Sequence, residues 1–182
     1  MTDEQRLARI RLWLALFVAG LVAAGITAFP LAWETRVASQ WLHGPGAWLG
    51  GHLPALRAWI DRAHRGVAES YGRYPFLAYG TDWLAFGHLT IAVAFIGPFR
   101  DPVRNKWVVQ WGMVACLLVL PLAAIAGPLR GIPLLWMPVD MSFGLVGIVP
   151  LILAYRHICA LDRQGHQRLP LPRPPAQRTD RA

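Results

Sequence analysis

The 182 residues carry 18 Lys and Arg against 10 Asp and Glu, a net charge of +8, yet 55% of the chain is hydrophobic. Twelve of the basic residues lie at Arg6, Arg9 and Arg11, at Arg100, Arg104 and Lys106, and from Arg156 onward. Between these clusters run four apolar stretches of bilayer length. That pattern excludes a nucleic-acid-binding domain and a soluble globular one. It predicts an all-α polytopic membrane protein: a four-helix transmembrane bundle over residues 1–162 with an external amphipathic helix, followed by a tail.

The first stretch, residues 12–33, has no charge. A basic start and an apolar run also fit a signal peptide, with Ala23-Ala24-Gly25 as a processing site. The apolar character continues through Phe29, Leu31 and Trp33, which favours a retained first span. Gly20, Ala24 and Ala28 repeat every four residues, a small face against which another helix can pack.

Residues 34–73 form the segment after it. His43-Gly44-Pro45-Gly46 and Gly50-Gly51 interrupt its first part, and Pro54 can occupy the first turn of a helix. Leu56, Trp59, Ile60, Ala63 and Val67 then fall on one face. Arg57, Asp61, Arg65 and Glu69 alternate in sign at four-residue spacing on the other, a ladder of i,i+4 pairs. An amphipathic helix lying in the outer interface or capping the bundle is expected.

The second span, residues 75–97, holds Asp82 and His88. A carboxylate at mid-span costs roughly 2.5–3.5 kcal/mol on insertion scales, so Asp82 calls for a physical reason. Gly97-Pro98 reads as its stop signal and Gly127-Pro128 as that of the third span, residues 107–127. In that third span Gly112 and Cys116 share a small face, and Pro121 is expected to kink the helix. The fourth span, residues 134–156, carries Asp140, Gly144 and Gly147 on one face. The last segment, residues 163–182, is rich in Pro and Arg and is expected to be disordered.

The positive-inside rule places both termini in the cytoplasm and the first and third loops outside the inner membrane. Asp82 lies seven residues after Pro75, and Asp140 seven after Pro133, so each is expected ~10 Å below its helix start. The two acids then share a level in the outer leaflet. Tyr79, Thr81, Ser142 and His88 extend a polar ladder inward, and Arg130 stands at its mouth. Gly20, Gly112, Gly144 and Gly147 are the helix-packing positions.

The lead expectation is a pocket at Asp82 and Asp140 that binds a small lipophilic or cationic ligand or joins the chain to a membrane complex. A second is a membrane enzyme in which Asp82, Asp140 and His88 act as acid–base groups on a lipophilic substrate. A third is a structural helix-packing subunit bound to another membrane protein. Cys116 and Cys159 sit at different depths, and no metal-ligand spacing occurs. His88 is the lone histidine deep in a span and has no opposing partner for a haem. No metal, cofactor or nucleic acid is expected, and the bilayer itself is the first partner.

Overall fold

The structure, a computed structural model, describes residues 2–168, with side chains described as far as Gln164. Among these residues all regular structure is helical. The helices are α1 (Asp3–Ala28), α2 (Leu31–His43), α3 (Ala47–His52), α4 (Pro54–Arg73), α5 (Tyr79–Ala94), α6 (Ile96–Arg100), α7 (Lys106–Leu129) and α8 (Met137–Arg168), with a 3₁₀ turn at Pro75–Ala78. Four segments are long and apolar enough to cross a membrane: Asp3–Ala28, Pro75–Arg100, Lys106–Leu129 and Met137–Gln164.

The helix ends follow local chemistry. At the start of α1, the Thr2 side chain accepts from the Gln5 backbone and the Gln5 side chain accepts from Thr2, a reciprocal cap. Proline has no N–H to give and its ring clashes with the preceding turn, so Pro30 stops the first helix at Ala28. The chain restarts as α2 at Leu31, and the first span is therefore shorter at this end than the apolar run that extends to Trp33.

Gly97-Pro98 does not stop the second span. The break falls at Phe95, and Pro98 lies in the first turn of α6, where a missing N–H costs no helical bond. Likewise α7 runs through Pro121 and Pro128 to Leu129. Its terminator is Gly131, at φ 71°, a left-handed backbone that glycine adopts without penalty. The Ile132 N–H reaches the Gly127 carbonyl (3.0 Å) and the Gly131 N–H that of Pro128 (3.1 Å), the paired closure of a Schellman turn.

Within the bundle α1 is the common neighbour, packed against both α5 and α8, while α7 packs on α8. The short α6 touches α5, α1 and α7 and so joins the two ends of the row α5–α1–α8–α7. The continuous core comprises Ile10, Leu14, Phe95, Val108, Val109, Cys116, Leu151, Ala154 and Ile158. Most of these lie toward the end where α1 starts and α8 finishes, the base. Phe95 is fully buried there, its ring 4.8 Å from that of Phe17. Lys106 Nζ reaches Asp162 Oδ2 at 2.6 Å and Gln110 Nε2 donates to the Tyr155 hydroxyl at 2.8 Å, tying α7 to α8 at the same end.

The opposite end, the cap, is built from α2, α3 and α4, with α4 laid along α2. Ser39 Oγ donates to Asp61 Oδ1 at 2.7 Å, and His43 Nε2 lies 3.5 Å from Asp61 Oδ2. Asp61 thus turns toward α2, and no ion pair joins the Arg57–Asp61–Arg65–Glu69 ladder among the described residues. An exposed i,i+4 pair is worth only ~0.3–0.5 kcal/mol, less than two partners on a packed neighbouring helix. At the other terminus α8 continues through Arg168; the expectation of a disordered tail falls, from residue 169 on, outside the described residues.

Candidate functional site

Two hollows open at the cap end, and each joins aromatic rings to one carboxylate. The first is about 460 Å³ and lies among α2, α3 and α4. Trp33, Glu34, Val37, Ala38 and Trp41 face it at the one- and three-residue steps of a single helix side. Leu49, Leu56 and Ile60 form the opposite wall, and Trp136, just before α8, closes one side. The Trp136 ring is 6.4 Å from that of Trp59 and tilted 52° to it, so α4 and the α7–α8 connection meet through two inclined indoles. Glu34 is the single charged residue in this lining, and burial among apolar groups pushes its carboxyl above the ordinary range.

The second hollow is about 320 Å³ and is lined by Phe29, Tyr79, Asp82, Trp83 and Phe86. Residues 79, 82, 83 and 86 follow i, i+3, i+4, i+7 and so share one stripe of α5. Tyr79 stands edge-on to Trp83 (5.9 Å) and Trp83 edge-on to Phe86 (5.7 Å), which holds the rings as a wall. Phe29, just past the end of α1, faces them. Asp82 has no hydrogen-bond or ion-pair partner among the described residues.

Asp140 lies on α8, which packs on α1 and α7. Its backbone N–H donates to the Trp136 carbonyl at 3.2 Å, and the Trp136 side chain lies near its carboxylate. It therefore stands behind the Trp136 wall of the first hollow. Its helix, α8, and the helix of Asp82, α5, each pack on α1, and no hydrogen bond or ion pair joins the two acids among the described residues.

The remaining polar positions are satisfied locally. Thr81 Oγ1 donates to the Ala78 carbonyl (2.8 Å), Ser142 Oγ to that of Val139 (2.6 Å) and His88 Nδ1 to that of Leu84 (2.8 Å). Back-bonding of this kind disposes of a hydroxyl or ring N–H without building a path. Thr81 also lies 3.3 Å from the Tyr71 hydroxyl, which ties α4 to the start of α5. Arg130 is exposed and makes no ion pair among the described residues.

The glycines divide in the same way. A Cβ on Gly144 would collide with the Cys116 carbonyl oxygen of α7. One on Gly147 would lie 3.3 Å from Cys116 Sγ, and one on Gly112 2.9 Å from Phe95 Cζ. Gly20 faces open space. The close approach on α1 is made instead by Gly25, whose Cβ would meet the Ala85 carbonyl, His88 Cβ and Leu89 Cδ2, each at 3.2 Å. His88 consequently sits at the α1–α5 seam.

Sequence reasoning missed Glu34, Trp33, Trp41 and Trp136 as a group, because a first span continued to residue 33 hides the stripe that starts at Trp33. It also missed Trp83 and Phe86, although their spacing from Asp82 was legible. No family model matches the sequence, and comparisons with curated proteins and with solved structures return no match.

Proposed function

We propose that the chain is a multi-pass inner-membrane protein, both termini cytoplasmic, that binds a small lipophilic cation in the hollow framed by α2, α4 and Trp136. The observation that carries this reading is a single carboxylate, Glu34, set in a wall otherwise made of apolar groups and three indole rings. Indole faces attract cations, by ~0.5–1 kcal/mol when exposed and about 2 kcal/mol when desolvated. A buried carboxylate gains from a cation what it lost in hydration. The orientation rests on the basic residues at the base of the bundle, which by the positive-inside rule favour an outer cap.

Binding is favoured over acid–base catalysis because Asp82, Asp140 and His88 have different surroundings. His88 is bonded to its own helix at the α1–α5 seam, Asp82 lines the α5 hollow, and Asp140 stands behind Trp136. These positions offer no common place for one substrate.

The test is a titration of the purified protein in detergent with tetraphenylphosphonium, read by tryptophan fluorescence and calorimetry, against the isosteric anion tetraphenylborate. The cation is expected to bind selectively, and Glu34→Gln to weaken it about tenfold with the circular dichroism unchanged. Equal binding of both ions, or an unaltered Glu34→Gln titration, overturns the reading. Single cysteines at exposed positions check the orientation: one at Gly51 reacts with an impermeant thiol reagent on intact cells, and one at Arg104 does not.

A further inference from the structure

We propose that the second hollow, on α5, holds the ammonium head group of a bilayer lipid whose acyl chain lies along the same helix. Asp82 is the starting point. It is the acidic residue of α5's first turn, inside an apolar segment, and neither Arg130 nor any other described side chain neutralises it. An unpaired carboxylate at such a position is costly unless a cation arrives from outside the chain. Four aromatic residues line the hollow with it, Phe29, Tyr79, Trp83 and Phe86, and aromatic rings with a carboxylate are the groups that together recognise an alkylated or primary ammonium.

Location decides between a lipid and a dissolved cation. Tyr79, Trp83, Phe86 and Phe29 remain 61%, 57%, 57% and 48% exposed, so the hollow opens sideways, onto the surface where lipid lies. Eleven residues beyond Asp82, Val93 returns to within about 20° of the same azimuth, and it is 63% exposed. The distance along the helix is ~16 Å, close to one leaflet's hydrocarbon depth of ~15 Å. Phe86 and Val93 thus supply an apolar track leading down from the acid. Interfacial aromatic residues that serve only as anchors need no carboxylate among them.

Charge complementarity selects a zwitterionic lipid with an exposed ammonium, of the phosphatidylethanolamine or phosphatidylcholine class, over phosphatidylglycerol. The lipid site rests on the membrane reading but shares no lining residue with the Glu34 hollow, so it stands or falls separately from cation binding there.

The experiment is native mass spectrometry of the purified full chain, equilibrated with mixed micelles of phosphatidylethanolamine and phosphatidylglycerol. The wild-type protein is expected to retain one phosphatidylethanolamine in about tenfold preference. Asp82→Asn abolishes that preference, Asp82→Glu keeps it, and Trp83→Leu reduces it. Glu34→Gln leaves it unchanged. Circular dichroism identifies any variant that misfolds, and Asp82→Glu then carries the comparison. A wild-type protein without head-group preference, or a preference that survives in Asp82→Asn, overturns the site. Displacement of the bound lipid by free ethanolamine or choline at millimolar concentration overturns the lipid as its occupant.

Discussion

Gly144→Ala tests the α7–α8 seam directly. The added Cβ falls on the Cys116 carbonyl oxygen and comes within 3.3 Å of Val119 Cβ. A backbone oxygen cannot rotate aside, so the two helices must separate by on the order of 1 Å. Overpacking of this kind costs roughly 1–3 kcal/mol, and the better helix propensity of alanine offsets up to about 1 kcal/mol. A net loss of ~1–2 kcal/mol lowers the midpoint of thermal unfolding by about 2–8 °C for a chain of this size. Gly20→Ala is the paired control: with nothing within 4 Å of the new Cβ, only the propensity gain remains. Both variants are to be melted in the same detergent and followed by circular dichroism. A Gly144→Ala protein as stable as the wild type, or a Gly20→Ala protein equally destabilised, would refute the packing argument.

Two further outcomes follow from the structure. Burial holds the Glu34 carboxyl above its ordinary value near 4.5, so the folded state binds that proton more tightly than the unfolded chain does. Its contribution to stability is therefore greatest below 4.5 and falls as pH rises through the window up to the raised value. Glu34→Gln should flatten that slope in a pH series of unfolding curves, and cation binding should weaken as pH falls through the same window. Phe95→Ala removes the buried ring between Phe17 and Gly112, at a cost of about 3–5 kcal/mol. Cys116, now buried, should then react with a thiol reagent, whereas Val93→Ala on the exposed face should leave it protected.

The four apolar helices were legible because each is a charge-poor run bounded by basic residues. The run alone cannot say where a helix bends, and here proline context decided the matter. Pro30 broke a stretch whose composition continued unchanged to Trp33. Pro98, Pro121 and Pro128 were absorbed into helices because a first turn lacks the bond that proline forfeits, or because the surrounding helix tolerates a lost one. Gly131 terminates α7 through a left-handed φ, a property that no count of Gly-Pro pairs reveals. The site was legible only in part. Asp82 and Tyr79 were marked by charge and polarity in an apolar setting, but whether Asp82 meets Asp140 depends on tertiary packing, in which α5 and α8 each pack on α1.

The packing also explains why both hollows lie at the cap. At the base, Phe95 fills the space between Phe17 of α1 and Gly112 of α7, and α6 touches both helices, so the row of four is drawn together. Toward the cap the close approaches are Gly25 against Ala85, which joins α1 to α5, and Gly144 against Cys116, which joins α8 to α7, while Gly147 brings α8 to Phe17 of α1. Beyond these contacts bulky side chains cover the surface rather than filling a common core. Phe29, Trp83 and Phe86 cover the α5 side, and Trp136, braced by Trp59, covers the α8 side. Indole and phenol rings are suited to such positions because one edge can meet water while the face stays apolar. A carboxylate placed among them is poorly hydrated without being sealed off, the condition under which an external cation gains most from both the charge and the rings. Glu34 meets that condition beneath the cap helices, and Asp82 lines a hollow with similar rings on the flank of α5.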